Sequence, residues 1–333
     1  MKAIIPVAGA GTHLRPFTYT QPKALIPVAG KPIIKYIIDD LCNNGITEFI
    51  FIVGYLGDKI IDYIQNNYSN LTCHFVFQPQ REGLGQAIFL AKEFINIEDE
   101  IVIYLGDSIV DIPSDFFGNH NTSLIATKKV QDPQNFGLIE MDETGKITNF
   151  IEKPKFPTTN LAMVGLYKIK ETEKLFEILE KLNKDNIRTN GEIQLTDALQ
   201  IMAKNGIVFN NYEATNWMDV GKWEVLLQTN AILLKKYGNS ICPTAIISNS
   251  VIIEPVSIAD NAQIINSIVG PNVTIGSHTK IEDSIISEGI IGDFSKLNTI
   301  QLTQFVIGSD SSLKGSLKSL TVGDNTEIDF SFK

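Results

Sequence analysis

Cysteine is scarce in this chain of 333 residues: Cys42, Cys73 and Cys242 are the only three, far apart and each in an apolar stretch. Thiols so few and so scattered build neither a disulfide framework nor a zinc site, and they fit a reducing, cytoplasmic setting. Positive charge is also short. Lys and Arg number 28 against 38 Asp and Glu, a formal net charge of -10. That balance argues against a nucleic-acid partner, because neutralising a phosphate backbone takes clustered cations. Any phosphate the protein binds must be met locally. No apolar run approaches the roughly 18 residues of a membrane-spanning helix, so no membrane partner is expected either. The opening MKAIIPVAGA imitates a signal peptide, but Pro6 breaks its apolar run and GTHLRP follows at once. It reads better as a buried strand entering a Gly-rich loop.

What the chain does have is apolar material, 44% of its residues, enough for one large core and a second smaller one. From residue 1 to about 235, short β-branched runs alternate with longer amphipathic stretches, the pattern of strands and crossover helices in a mostly parallel α/β sheet. Ala3 to Val7, Glu48 to Val53, His74 to Gln78, Ile101 to Leu105 and Leu124 to Thr127 read as strands. Ile33 to Asn43, Lys59 to Asn66, Gly85 to Phe94 and Glu171 to Leu182 read as helices. In such sheets ligands sit beyond the carboxyl ends of the strands, so the loops there are where chemistry is expected. From about Pro243 the helical period vanishes. Ile, Leu or Val then recurs every six residues: Ile252, Ile258 and Ile264 in one phase, Val269, Ile275 and Ile281 in another, then Ile291 with Leu297, Ile307 with Leu313, and Val322 with Ile328. A six-residue period suits a β-solenoid in which each turn buries one aliphatic per face; Gln301 to Val306 breaks the pattern. Two domains are therefore expected, 1–238 and 243–333.

The segment with chemical content is Gly9-Ala10-Gly11-Thr12-His13-Leu14-Arg15-Pro16, followed by Gln21-Pro22-Lys23-Ala24-Leu25. Glycines straight after a first strand let backbone N–H groups approach a phosphate closely. No third glycine completes a dinucleotide fingerprint, and no Gly-Lys-Ser/Thr completes a P-loop. Lys23, twelve residues beyond Gly11 in a Pro-bracketed segment, is able to return a cation to the same phosphates.

Together these segments resemble the sugar-phosphate nucleotidyltransferase family, and the resemblance runs on in order through roughly the first 225 residues. Gln78-Pro79 with Glu82-Gly83-Leu84-Gly85-Gln86-Ala87 is similar to the family's base-recognition loop. Leu105-Gly106-Asp107 resembles its metal-binding aspartate after a central strand; Phe136-Gly137 and Glu152-Lys153-Pro154 resemble its sugar-phosphate contacts. Val164-Gly165-Leu166-Tyr167, Gly191-Glu192 with Leu195-Thr196-Asp197, and Trp217-Met218-Asp219-Val220-Gly221 complete the set. The resemblance implies a Rossmann-like nucleotidyltransferase domain. In it Asp107 and Asp219 hold Mg²⁺, Lys23 binds the triphosphate and Lys153 the sugar phosphate. Ala8, Gly9, Ala10, Gly11 and Thr12 meet the nucleotide phosphates, and Gln78 and Gly83 the base; Gly137, Glu152 and Val164 contact the sugar. Taken singly, each has a plainer reading: Asp107 as a turn cap, Asp219 as a solvated turn carboxylate, Glu152 and Lys153 as a surface ion pair, Lys23 as an exposed lysine. Their ordered recurrence leads to the expectation that they converge where strands of one sheet end.

The family reads G-x-G-T-R where this chain has His13. An imidazole lacks the planar, permanently charged fork of arginine. Either His13, protonated beside phosphates, or Arg15 substitutes for it, or the chain is a weakened nucleotide-binding relative. The substrates implied are a nucleoside triphosphate and a sugar 1-phosphate, with thymidine triphosphate and glucose 1-phosphate favoured by overall resemblance to long-form thymidylyltransferases; uridylyl and guanylyl transfer stay open. The tail resembles the hexapeptide family, whose fold is a left-handed parallel β-helix. That implies subunit association into a homo-oligomer and raises an acyltransferase alternative, in which His278 would be the base rather than a turn residue.

Overall fold

A computed structural model describes residues 1–96 and 98–315. Its first strand, β1 (Lys2–Pro6), carries Ala3, Ile4 and Ile5 with no exposed surface. That is why the opening of the chain is a near-continuous apolar run: a strand covered on both faces has no side that needs polar residues. The elements that follow are the hairpin β2 (Pro27–Val28) and β3 (Lys31–Pro32), α1 (Ile33–Asn43), β4 (Glu48–Val53), α2 (Gly57–Asn67) and β5 (Thr72–Phe77). Next come α3 (Leu84–Phe89), β6 (Ile101–Tyr104), β7 (Ser108–Asp111), β8 (Ser123–Lys129), β9 (Gly137–Met141), β10 (Ile147–Glu152) and β11 (Leu161–Ile169). Then α4 (Thr172–Lys184), α5 (Leu195–Lys204), β12 (Phe209–Glu213), β13 (Asn216–Asp219) and α6 (Trp223–Tyr237) close the series.

The main sheet runs β10-β9-β11-β6-β1-β4-β5, with β8 also on β11 and β12 on β8. Strands β5, β4, β1 and β6 are parallel, and the other half is joined through antiparallel β11. Ile4, Ile50, Ile103, Ile139, Leu175, Leu199 and Phe209 belong to one buried core spanning sheet and helices. The helix expected over Gly85 to Phe94 is shorter than that. It stops at Phe89, and a 3₁₀ turn over Lys92–Phe94 follows. There the backbone bonds tighten to three-residue steps, Ala91 to Ile88 and Phe94 to Ala91.

Contacts divide the chain between Thr229 and Asn230, inside α6. The second unit is a parallel β-helix with three faces. One holds Ser240–Ile241, Val256–Ile258, Val273–Ile275 and the far ends of Ile285–Ile291 and Gln301–Ile307. A second stacks Ile246–Ser248, Gln263–Ile265, Lys280–Glu282, Lys296–Asn298 and Ser312–Lys314. The third stacks Val251–Ile252, Ile268–Val269 and the near ends of the two long strands.

Strict six-residue spacing is corrected here. Ser240 pairs with Ser257 and Ser257 with Thr274, a step of 17; Thr274 pairs with Ile290 and Ile290 with Val306, a step of 16. The change of phase between Ile264 and Val269 marks a corner turned with one residue fewer. Asn249, Asn266, Asp283 and Thr299 occupy that corner with positive φ, a conformation Asn and Asp tolerate well. The apparent irregularity at Gln301 to Val306 is also corrected: it is a continuous strand in register with Ile285–Ile291. The expected repeat at Val322 to Glu327, with Val322 and Ile328 in phase, lies outside the described residues.

Candidate active site

The ends of β1 and β6, the Gly-rich loop, the turn that Lys23 opens and the start of α3 line a cleft of about 230 Å³, with Pro6, Val7, Gly9, Lys23, Leu84 and Asp107 among its walls. Its floor exists because glycine stands at position 106. The amide of Gly106 donates to the Pro6 carbonyl at 3.2 Å, and a Cβ there would lie 2.3 Å from Val7 Cγ1. Only a residue without a side chain lets the chain leaving β6 cross so close to the end of β1. Gly11, at φ 58, turns the Gly-rich loop into the 3₁₀ turn Thr12–Leu14; its missing side chain makes room for Thr18 Cγ2 and Lys23 Cβ.

Within the cleft Lys23 Nζ donates to Asp107 Oδ2 at 2.7 Å. These residues are 84 positions apart in sequence. Asp219 is delivered beside them by a ribbon separate from the main sheet: β13 pairs antiparallel with β7, Asp219 lies opposite Ser108, and the Val220 amide donates to the Asp107 carbonyl at 3.1 Å. The expectation that every site residue sits at the end of a strand of one sheet is therefore corrected for Asp219 and for Lys23, which opens a 3₁₀ turn. Burial holds the Asp219 carboxyl above its ordinary range, and the negative charge of Asp107 adds to that. Lys23, Lys153 and Lys222 pull the other way. Asp107 and Asp219, two neighbouring carboxylates, offer the hard oxygen donors that suit a divalent cation such as Mg²⁺.

The residues expected to meet the sugar are carried by β9 and β10. Glu152 lies opposite Gly137 in register, its side chain only 10% exposed, with Oε1 3.8 Å from the ammonium of exposed Lys153. Lys153 has φ 40, and its amide is anchored to the Phe136 carbonyl. Val164 is fully buried, so any sugar contact there falls to its main chain. Of the residues expected to meet the base, Gln78 is buried, and its amide nitrogen donates to Gln86 Oε1 at 2.6 Å. Gly83, at φ 112, would place a Cβ 2.5 Å from the Ile193 carbonyl oxygen.

Ala8 and Ala10 are buried, whereas Thr12 and His13 are exposed. Among the described residues His13 makes no hydrogen bond or ion pair, and the Arg15 guanidinium rests over the Tyr19 ring at 4.9 Å. His278, in the second unit, is a corner residue with φ 57 stacked on Phe294 at 5.0 Å. Reasoning from sequence missed Gly106 as the floor, Gln86 as the partner of Gln78, and Thr196, whose hydroxyl reaches Glu152. The motif order had marked their segments without assigning them a role.

Comparison with known proteins places the chain. The nucleotidyl transferase family model matches residues 2–236. The chain belongs to the nucleotidyl transferase family. A GlmU-like C-terminal hexapeptide model matches 236–294 of this nucleotidyl transferase. Relatives include the low-salt glycan biosynthesis nucleotidyltransferase Agl11 of Haloferax volcanii, 33% identical, with the match covering 79% of this chain and 74% of that one. The bifunctional protein GlmU of Methanococcus maripaludis is 38% identical over 76% of this chain, but only 60% of its own length is spanned. A glucose-1-phosphate thymidylyltransferase of Streptomyces griseus is 28% identical over 79% of this chain and 74% of that one. Among solved structures, a UDP-glucose pyrophosphorylase complexed with UDP-glucose superposes with a TM-score of 0.62 at 26% identity, over 71% of this chain and 98% of that one. No helix of the described residues is long and apolar enough to cross a membrane.

Proposed function

We propose that this sugar-phosphate nucleotidyltransferase joins a nucleoside triphosphate to a hexose 1-phosphate and releases pyrophosphate, with thymidine triphosphate and glucose 1-phosphate as its substrates. The observation that carries the reading is the meeting of Lys23 and Asp107 in one cleft with the Gly-rich loop, with Asp219 held beside Asp107. A phosphate oxygen of the sugar 1-phosphate attacks the α-phosphorus in line, and pyrophosphate leaves. The nucleophile is already an anion, so no general base is required, and the task reduces to orienting two anions and offsetting their charge. Asp107 and Asp219 would hold Mg²⁺, which supplies charge neutralisation at the phosphates. Lys23 leaves Asp107 for the triphosphate as the nucleotide enters. Lys153 orients the sugar phosphate, Glu152 accepts from sugar hydroxyls, and the loop from Ala8 to Thr12 offers backbone donors. Gln78 and Gly83 face the base. The likeness to a named thymidylyltransferase supports the choice of nucleotide; the likeness to a UDP-glucose pyrophosphorylase keeps uridylyl transfer as the competing one, with guanylyl transfer the third.

The same reading places the enzyme in the cytoplasm as an oligomer, with domains meeting between residues 238 and 243. Val251, Ile268 and Ile285 form an exposed aliphatic ladder on one β-helix face, in register, which supports association there.

Pyrophosphate release decides the matter, with each nucleoside triphosphate crossed against glucose 1-phosphate and mannose 1-phosphate in Mg²⁺. Release with one pair names the substrates, and Asp107→Asn must abolish it. Silence across the grid while nucleotide still binds overturns the catalytic reading in favour of a binding protein.

A further inference from the structure

Glu152 has an unusual environment for a residue expected to meet a solvated sugar. Its side chain is nine-tenths buried, and Oε2 accepts a hydrogen bond of 2.6 Å from Thr196 Oγ1. Thr196 is itself 6% exposed. It is the second residue of α5, so its backbone is held by the helix. Room for this pair comes from position 137: a Cβ on Gly137 would stand 3.1 Å from Glu152 Oε2, 3.6 Å from Thr196 Oγ1 and 2.5 Å from Met163 Cε. Glycine there allows the carboxylate to turn toward the helix. Among the described residues no hydrogen bond reaches Oε1, which is the oxygen nearer Lys153. One carboxylate oxygen is thus committed to the protein, and the other is left for substrate.

The segment that delivers Thr196 is tied at its other end to the base side. The Ile193 amide donates to the Glu82 carbonyl at 2.7 Å, and the Gly85 amide donates to the Ile193 carbonyl at 2.8 Å. Ile193, anchored on the Glu82 to Gly85 loop, thus stands only three positions before the hydroxyl bonded to Glu152.

We propose that Thr196 is a positioning residue: its hydroxyl fixes the rotamer of Glu152 so that Oε1 is presented to the sugar hydroxyls, making Thr196 a determinant of sugar-phosphate recognition. The inference rests on the nucleotidyltransferase reading of the cleft. A free Glu152 would sample several rotamers, and each misplacement would be felt in sugar binding before nucleotide binding. Removing the hydroxyl while keeping the shape leaves a buried charged acceptor without its donor, the costly way to break such a bond.

The test compares wild type, Thr196→Val and Thr196→Ser in the full chain, by steady-state kinetics in both substrates and by calorimetric binding of glucose 1-phosphate and mannose 1-phosphate. Thr196→Val is expected to raise the sugar-phosphate KM, and weaken sugar-phosphate binding, about tenfold or more, with the nucleotide KM within about twofold; Thr196→Ser recovers most of the loss. Equal effects on both substrates, or no rescue by serine, would overturn the proposal and leave Thr196 a packing residue. Should wild type release no pyrophosphate yet bind sugar phosphate, and Thr196→Val weaken that binding, the catalytic reading falls and the positioning role stands. Absence of both turnover and sugar-phosphate binding sinks both.

Discussion

Replacing Gly106 by alanine tests the architecture of the cleft most directly. The new Cβ would sit 2.3 Å from Val7 Cγ1 and 2.9 Å from the Pro6 carbonyl oxygen, where ordinary carbon contacts stand at about 3.5–4.0 Å. Val7 is β-branched and buried, and its amide is bound to the Ile52 carbonyl at 2.8 Å, so β1 is poorly placed to retreat. Gly106 does not have a positive φ, so the clash is steric rather than conformational. The segment carrying Asp107 must move by about 1 Å, and the Gly106 to Pro6 hydrogen bond is strained or lost. Overpacking costs about 1–3 kcal/mol and the bond about 0.5–1.5 kcal/mol, together about 1.5–4.5 kcal/mol. At about 2–4 °C per kcal/mol for a unit of this size, Tm should fall by about 3–18 °C. Shifting Asp107 away from Lys23 and Asp219 by that distance should lower kcat about 100-fold. Thermal unfolding and pyrophosphate release at saturating substrate read the two effects. A Gly106→Ala protein with unchanged Tm and turnover within about twofold of wild type would refute the argument.

Asp219→Asn should remove turnover yet raise Tm at neutral pH, because an ionised carboxylate that burial and Asp107 disfavour is gone. With its folded pKa raised above an unfolded value of about 3.9, wild type gains stability as pH falls through that window, and the variant should lack this gain in a pH series of melts. His13→Arg restores a fixed fork at the phosphate loop and is expected to raise kcat/KM for the triphosphate about tenfold; an unchanged value would mean another residue already fills the role. Ile281→Ala, at a fully buried position in the β-helix core, should cost about 2–5 kcal/mol, read by chemical denaturation.

Much of the first unit was legible from residue order because buried parallel strands are short apolar runs bounded by turn residues. Glu48–Val53 and Ile33–Asn43 fall at the expected limits. The solenoid was legible for a related reason, since each coil repeats the same inward aliphatic. Its true period was not: a corner can be turned with five or six residues, and only the pairing of Thr274 with Ile290 shows which. Candidate site residues were legible as an ordered set of motifs, and the roles proposed for them came with the family resemblance. Thr196 and Gln86 went unassigned because a Thr or Gln in a helical pattern carries no signal of what its side chain will meet.

The sequence by itself determined that the chain has two kinds of architecture, which loops are candidates for phosphate-directed chemistry, and that position 13 departs from the family's arginine. These are local properties, written in periodicity, glycine placement and side-chain type. Tertiary structure alone decided that Lys23 reaches Asp107 across 84 residues, that a separate two-stranded ribbon delivers Asp219, and that Gly106 and Gly137 are glycine because other segments pass within van der Waals distance. The reason is physical: such contacts depend on the path of distant backbone, and no stretch of sequence around either partner encodes the separation between them.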